Sequence, residues 1–219
     1  MALIGIDLGT TNSACCIWKD GNATLIPNAT GKLLTPSVVS VDNNGFVLVG
    51  QAAKERLVSH PELTTSKFKR LIGTDKTTFL GKNSYSATEL SSLILRALKQ
   101  DVEAYLDCEV KEAVISVPAY FNDIQRNATK LAAELAGIKV ERLVNEPTAA
   151  ALAYGLHESP DDARYLILDL GGGTFDVTIL EYFDGVMEVH ASSGDNQLGG
   201  EDFVELLVND FCKKHDIEA

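Results

Sequence analysis

No stretch of the 219 residues is apolar for the roughly 18 residues that a membrane-crossing helix needs. The opening Met-Ala-Leu-Ile-Gly-Ile-Asp lacks the charged n-region and long apolar core of a secretory signal. The expected setting is the cytosol, with no membrane partner. Basic residues are scarce: 19 Lys plus Arg stand against 31 Asp plus Glu, a net charge of -12, so the basic face that a nucleic-acid backbone requires is missing. The four cysteines, Cys15, Cys16, Cys108 and Cys212, form no C-x-x-C pair. The adjacent pair cannot easily reach two corners of a metal site, so all four are expected as small buried apolar residues. In a cytosolic chain the Asn-Ala-Thr sequons at 22, 28 and 127 carry no meaning. The remainder, 45% apolar and 23% charged, is ordinary for a chain that buries most of its surface, and excludes disorder.

Against these absences stands an internal repeat, which decides architecture before local structure does. LIGIDLGTTNSACCIWKDG at 3–21 is matched by YLILDLGGGTFDVTILEYFDG at 165–185. Asp7-Leu8-Gly9 falls on Asp169-Leu170-Gly171 at a separation of 162 (169 minus 7), Ile17 falls on Ile179, and Asp20-Gly21 meets Asp184-Gly185 after a two-residue slip. Each copy reads as a strand, a sharp turn, a second strand and Asp-Gly, which is a hairpin signal. Two unrelated hairpins that share turn chemistry by chance are the competing reading. With a repeat of this length, the second copy, starting near Tyr165, is expected to be cut short at Ala219.

Between the copies, strands alternate with helices. A strand is expected at 113–117, stopped by Pro118, then a helix from about Asn122 closed by Gly137, a short strand at 142–144 and a helix at 148–156. Residues 37–112 read as an insertion with a hairpin at 38–49 around Asn43-Asn44-Gly45 and a helix at 86–107. That helix opens with a Ser86/Glu89 capping box and is striped by Leu90, Leu93, Ile94, Ala97, Leu98, Val102 and Tyr105. The predicted layout is α/β: a core subdomain from 1–36 and 113–164, a smaller inserted one at 37–112, and a truncated second lobe at 165–219.

Both turns place a carboxylate at a strand end and follow it with small residues. Asp7 precedes Gly9, Thr10, Thr11 and Asn12; Asp169 precedes Gly171, Gly172, Gly173 and Thr174. Without side chains in the way, backbone N–H groups can converge on an anion, and threonine hydroxyls add donors. Two phosphate cradles are the expected result, although neither a Walker loop nor a G-x-G-x-x-G fingerprint is present. If the copies pack about a pseudo-twofold axis, Asp7 and Asp169 repel by about 4 kcal/mol at ~4 Å and an effective dielectric of ~20, so a cation belongs between them. Mg²⁺ that keeps most of its water and touches phosphate oxygens suits that place. The plain alternative is that both aspartates only cap turns.

Six segments in order, GIDLGTTNS (5–13), FKRLIGT (68–74), VPAYFND (117–123), NEPTAAALAYGL (145–156), DLGGGTFDV (169–177) and GDNQLGGEDF (194–203), resemble the ATPase domain of the seventy-kilodalton heat-shock chaperones, the DnaK-like family. The resemblance implies an actin-like, ribonuclease H-like α/β fold, with the first lobe and the beginning of the second in this chain and ATP or ADP with Mg²⁺ as cofactors. It implies phosphate loops at 9–12 and 171–174, and metal contacts through water from Asp7 and Asp169. Lys69 would orient the attacking water, and Glu146, Thr174 and Asp176 would stand near water and ions. Pro118 and Arg126 would form a relay reporting nucleotide state, and Arg142 with Asn145 would lie near the surface met by a J-domain partner.

Unfolded polypeptide clients, bound through a missing domain, and a nucleotide-exchange factor are the other implied partners. Read without the likeness, Lys69 is one charge of a solvated helix face and Pro118 a strand stop. The short interval between Lys69 and Pro118, with Glu134-Leu135-Ala136-Gly137 and Glu188-Val189-His190-Ala191, looks like the bacterial HscC type. Because the chain ends soon after Gly-Gly-Glu-Asp-Phe, the family's adenine and ribose contacts are expected beyond it. The chain alone is then expected to bind nucleotide weakly or not at all and to show little or no hydrolysis. A sugar or acetate kinase of the same superfold and a filament-forming actin-like protein are the rival readings.

Overall fold

A period of two governs the first strand. Along Ala2–Asp7 (β1), Ile4 and Ile6 are buried while Leu3 and Asp7 are exposed, the mark of a strand with one covered face. Asn12–Lys19 (β2) returns antiparallel, with Ile4 opposite Ile17 and Asp7 opposite Ala14, and buries Ser13, Cys15 and Ile17. Asn22–Leu25 (β3) follows through a two-residue Asp20-Gly21 turn. Its φ angles of 52° and 79° belong to the left-handed turn that matches strand twist. The computed structural model describes residues 2–156 and 162–217, which divide into two compact units, Met1–Ala149 and Ala150–Ala219.

In the first unit, Thr35–Pro36 (β4) pairs beside β2. Val39–Val41 (β5), Val47–Val49 (β6) and, after the short helices Gln51–Lys54 (α1) and Arg56–Ser59 (α2), Thr64–Thr65 (β7) make a small sheet in the order β6-β5-β7. Thr77–Leu80 (β8) and Asn83–Ser86 (β9) form a hairpin that leads into Ala87–Leu106 (α3). The expected capping box is present: the Glu89 N–H donates to Ser86 Oγ at 3.2 Å and the Ser86 N–H donates to Glu89 Oε2 at 2.8 Å. The Ser86 N–H and the Ser86 hydroxyl, each donating to Glu89 Oε2 at 2.8 Å, hold the Glu89 carboxyl below its usual range. The buried stripe includes Leu90, Ile94, Leu95, Leu98 and Val102. Tyr105, expected on it, is exposed, because steps of four from Leu90 arrive at Leu106, which does pack on the core.

Val110–Val117 (β10), Asp123–Leu135 (α4) and Lys139–Asn145 (β11) form a parallel strand-helix-strand unit, and the main sheet runs β11-β10-β1-β2-β3. Asn122 caps α4, its Oδ1 accepting from the Gln125 N–H at 3.0 Å, and Gly137 follows at φ 73°. Glu146–Ala153 (α5) starts two residues and ends three residues before the expected limits. Pro147 suits the first turn of a helix, where a missing N–H costs nothing. One buried cluster joins these layers: Ile4, Ile6 and Ile17 of the sheet, Leu90, Ile94 and Leu98 of α3, Ala132 and Ala133 of α4, and Val39, Val41 and Phe68. Residues 37–112 therefore share their core with the main sheet.

The cysteines part company with expectation. Cys15 is buried, and burial, helped by the charge of Asp101, pushes its thiol up to about 12. Cys16 and Cys212 are half-buried and Cys108 is exposed, the last because it lies in the loop after Asp107, whose left-handed backbone (φ 51°) ends α3. All four are free thiols.

In the second unit Ala163–Leu170 (β12), Phe175–Phe183 (β13) and Val186–Asp195 (β14) form an antiparallel sheet in that order, followed by Gly200–Lys214 (α6). Leu166 pairs with Ile179 and Asp169 with Asp176, which is the β1–β2 register moved along by the repeat length. Asp184-Gly185 turns with φ 49° and 76°. The arms run two residues further before this turn, since Phe183 faces Val186 where Lys19 faces Asn22. Apolar cover is thin: Leu180 is buried, whereas Leu166, Leu168 and Leu170 of β12 and Leu206 and Leu207 of α6 are exposed. No residue of α6 is buried. Among the described residues no helix is long and apolar enough to cross a membrane.

Candidate functional site

Each repeat carries an aspartate to the end of a strand and then turns at once. In the first, Leu8 is buried beneath the turn, and Gly9 lies so near Asn12 that a Cβ would collide with the Asn12 carbonyl oxygen. Asp7 is exposed, and its Oδ1 accepts from Ser116 Oγ at 3.0 Å. Thr10 is buried, Thr11 half-buried and Asn12 exposed. In the second, the Gly171 N–H donates to the Thr174 carbonyl at 2.9 Å and closes the loop. Asp169 is exposed, and Asp176, directly opposite it in the ladder, is buried. Since the residue facing Asp7 is Ala14, the loops differ chemically: the second carries an extra carboxylate.

Lys69 reaches its place through backbone geometry. Lys67 takes the left-handed conformation (φ 59°) and starts the 3-10 helix Phe68–Leu71, within which Lys69 is only 8% exposed. Its Nζ donates to Glu146 Oε1 at 3.0 Å and stands 5.7 Å from the centre of the Phe121 ring. The solvated-face reading of Lys69 is excluded, because a buried ammonium is kept only with a partner. Gly73, at φ 78°, lets this segment close on α4: a Cβ there would lie 2.8 Å from Gln125 Cγ. Lys69 and Glu146 came from separate motifs 77 positions apart, and the fold brings them into hydrogen-bond contact.

Pro118 directly follows β10, and Arg126 sits on α4. Arg126 Nε donates to the Phe121 carbonyl at 2.9 Å, and its Nη2 donates to the Ala119 carbonyl at 3.3 Å and to Asn145 Oδ1 at 2.8 Å. Arg126 and Asn145, given separate roles by the family likeness, are thus bonded directly. Arg142 is exposed on β11, at the edge of the main sheet. Sequence reading overlooked Ser37, Ser116 and Phe121 as site residues. Ser116 follows from register, as the neighbour of Asp7 across β1 and β10, and Phe121 lay inside a recognised motif. Ser37 has no periodic signal that could have singled it out.

Among the described residues no group of three or more His, Cys, Asp or Glu is gathered to hold a metal. Beside each loop stands one exposed carboxylate. A lone exposed carboxylate of this kind, Asp7 in the first unit or Asp169 in the second, is a hard-oxygen donor that suits an ion keeping most of its waters and not one caged by protein.

Comparison with known proteins adds to this geometry. The family described as Hsp70 protein matches residues 3–219. The chain is 51% identical over 221 residues to the Chaperone protein DnaK of Thermotoga neapolitana, covering 99% of this chain and 37% of that one. It is 50% identical to the Chaperone protein DnaK of Thermotoga maritima, with the same coverage. The chain spans 37% of the length of these curated relatives.

Proposed function

The chain belongs to the Hsp70 family, and from that premise we propose that it is the nucleotide-binding start of a DnaK-like chaperone's ATPase domain. Its fold is the actin-like, ribonuclease H-like α/β fold of that domain, which in this family binds ATP or ADP with Mg²⁺. Within that fold we assign 1–36 with 113–164 to the core of the first lobe, 37–112 to its inserted subdomain and 165–219 to the second lobe. The observation that carries the reading is the hairpin repeated 162 residues on with unchanged register, an aspartate closing each first strand and a glycine-bearing turn following it.

Hydrolysis of a γ-phosphate needs an in-line water, neutralised oxygens and little covalent help. Residues 9–12 and 171–174 would supply backbone donors to phosphate, Asp7 and Asp169 would each offer a carboxylate to water on Mg²⁺, and Thr174 and Asp176 would act with the second loop. Bound Mg²⁺ would neutralise phosphate oxygens. Lys69 has three N–H donors, of which one goes to Glu146, so its ammonium is fixed before a ligand arrives and can meet both the attacking water and a phosphate oxygen. Charge positioned in advance is worth most where water is excluded.

From Pro118 and Arg126 the nucleotide state would pass to Asn145 and Arg142, the face offered to a J-domain co-chaperone. Unfolded polypeptides and an exchange factor are the proposed partners of the whole protein, in the cytoplasm. The HscC-type placement rests on the short interval from Lys69 to Pro118. The decisive experiment uses the protein at the length of its relatives. Lys69→Ala is expected to keep nucleotide binding while turnover falls by about 10² to 10³, and retained turnover in a single-cycle assay overturns the assignment.

A further inference from the structure

A loop that is to receive phosphate must present N–H groups and turn its carbonyl oxygens away, since a carbonyl dipole repels the anion. In both repeats the carbonyl of the first loop glycine is tied back by a segment further along the chain. The Gly9 carbonyl accepts from Ser37 Oγ at 2.7 Å. The Gly171 carbonyl, its equivalent at the repeat spacing, accepts from the Gly200 N–H at 3.0 Å. Each brace also holds a second carbonyl of its loop: the Ser37 N–H donates to Thr11 O at 2.8 Å, and the Glu201 N–H donates to Gly172 O at 2.9 Å.

The two braces are built differently. Ser37 is 3% exposed, and its only hydroxyl proton goes to Gly9, so in the 2.9 Å contact between Ser13 Oγ and Ser37 Oγ it is Ser13 that donates. Buried hydroxyls require such complete pairing. The second brace is backbone alone, the first turn of α6, and it depends on Gly199: a Cβ there would lie 2.5 Å from the Gly172 carbonyl carbon and from the Gly173 nitrogen. Across a trans peptide the C=O and the following N–H point in opposite directions. Tying back Gly9 O therefore turns the Thr10 N–H to the other face, and tying back Gly171 O does the same for the Gly172 N–H.

We propose that Ser37 and Gly199 are positioning residues that set the phosphate-facing polarity of the two loops, the first through a Ser13–Ser37–Gly9 hydroxyl chain and the second through backbone contact with α6. The proposal rests on the nucleotide-site reading above. The test titrates the isotope-labelled 219-residue chain with Mg-ATP to about 10 mM and follows backbone amide signals by NMR. Ser37→Ala, Ser37→Cys (matched in size, a weak donor) and Gly199→Ala are the variants. Without nucleotide, the Ser37 variants should move the amide signals of residues 9–12 and leave those of 171–174 in place, while Gly199→Ala should do the reverse. With nucleotide, Ser37→Ala and Gly199→Ala should weaken apparent affinity about ten-fold, and Ser37→Cys by less, in each case beyond what any shift of the urea midpoint accounts for. Wild-type affinity in all three variants overturns the braces and leaves the site standing. No response of either loop in the wild-type chain up to that concentration overturns nucleotide binding at these loops in this chain, and the braces with it. Affinity that falls only in step with the urea midpoint also overturns the proposal, since a general loss of structure then explains it.

Discussion

Ile4, Ile6 and Ile17 are buried in the first hairpin, while Leu166, Leu168 and Ile179, their counterparts in the second, are exposed. Register, aspartate and Asp-Gly turn are the same in both. Pairing and turn chemistry are therefore local properties of these segments, and burial is not. Ile4 and Ile6 share a cluster with side chains of α3 and α4, whereas no described element of the second unit covers Leu166 or Leu168. The same hairpin is a core element in one unit and an open surface in the other.

Truncation of apolar side chains should show this contrast most strongly. Leu98→Ala removes a fully buried side chain of α3 and is expected to cost about 2 to 5 kcal/mol in urea unfolding. Leu207→Ala, at a position 70% exposed, should cost less than about 0.5 kcal/mol. Similar costs would break the comparison.

Thiol labelling sharpens it at the next level. With its pKa pushed up to about 12, Cys15 is thiolate to about one part in ten thousand at pH 8, and the thiolate is the nucleophile. Iodoacetamide should modify Cys15 at least about 100-fold more slowly than the half-buried Cys212 or the exposed Cys108, as read by mass spectrometry. Raising the pH towards 12 should narrow the gap. Equal rates at pH 8 would mean that β2 opens as readily as α6.

The smallest effect should be the one that ignores the contrast. Gly21 and Gly185 both have positive φ, 79° and 76°, and a Cβ at either meets nothing within 4 Å, so only backbone strain opposes a side chain. Gly21→Ala and Gly185→Ala should each cost about 1 to 2 kcal/mol, measured by hydrogen exchange of the flanking strands. A marked inequality would show that surroundings reach even into the turns.

What could be read from the sequence followed the same division. The repeat, both Asp-Gly turns, the α3 capping box and the α4 caps rest on neighbours in the chain, and the structure has them where expected. Tyr105 and Cys108 were misplaced because burial depends on which residue of a turn faces a distant layer, and composition is silent on that. At the site, the two glycine-bearing turns and Lys69 stood out as motifs. The Lys69–Glu146 bond, the Arg126–Asn145 bond and the Ser37 contact with Gly9 join segments brought together only by the main sheet, and no spacing announces them. The α5 limits shifted because a proline is as acceptable in a first helical turn as in the loop before it.

The tip of the β5–β6 hairpin, Asn43-Asn44-Gly45, faces solvent, while Val39 and Val41 just before it sit in the main buried cluster. A protease that cut at Asn44 would thus sever one peptide bond and release nothing. The two fragments would elute together in native gel filtration and separate only in detergent, which marks this tip as the place to divide the molecule into complementing halves.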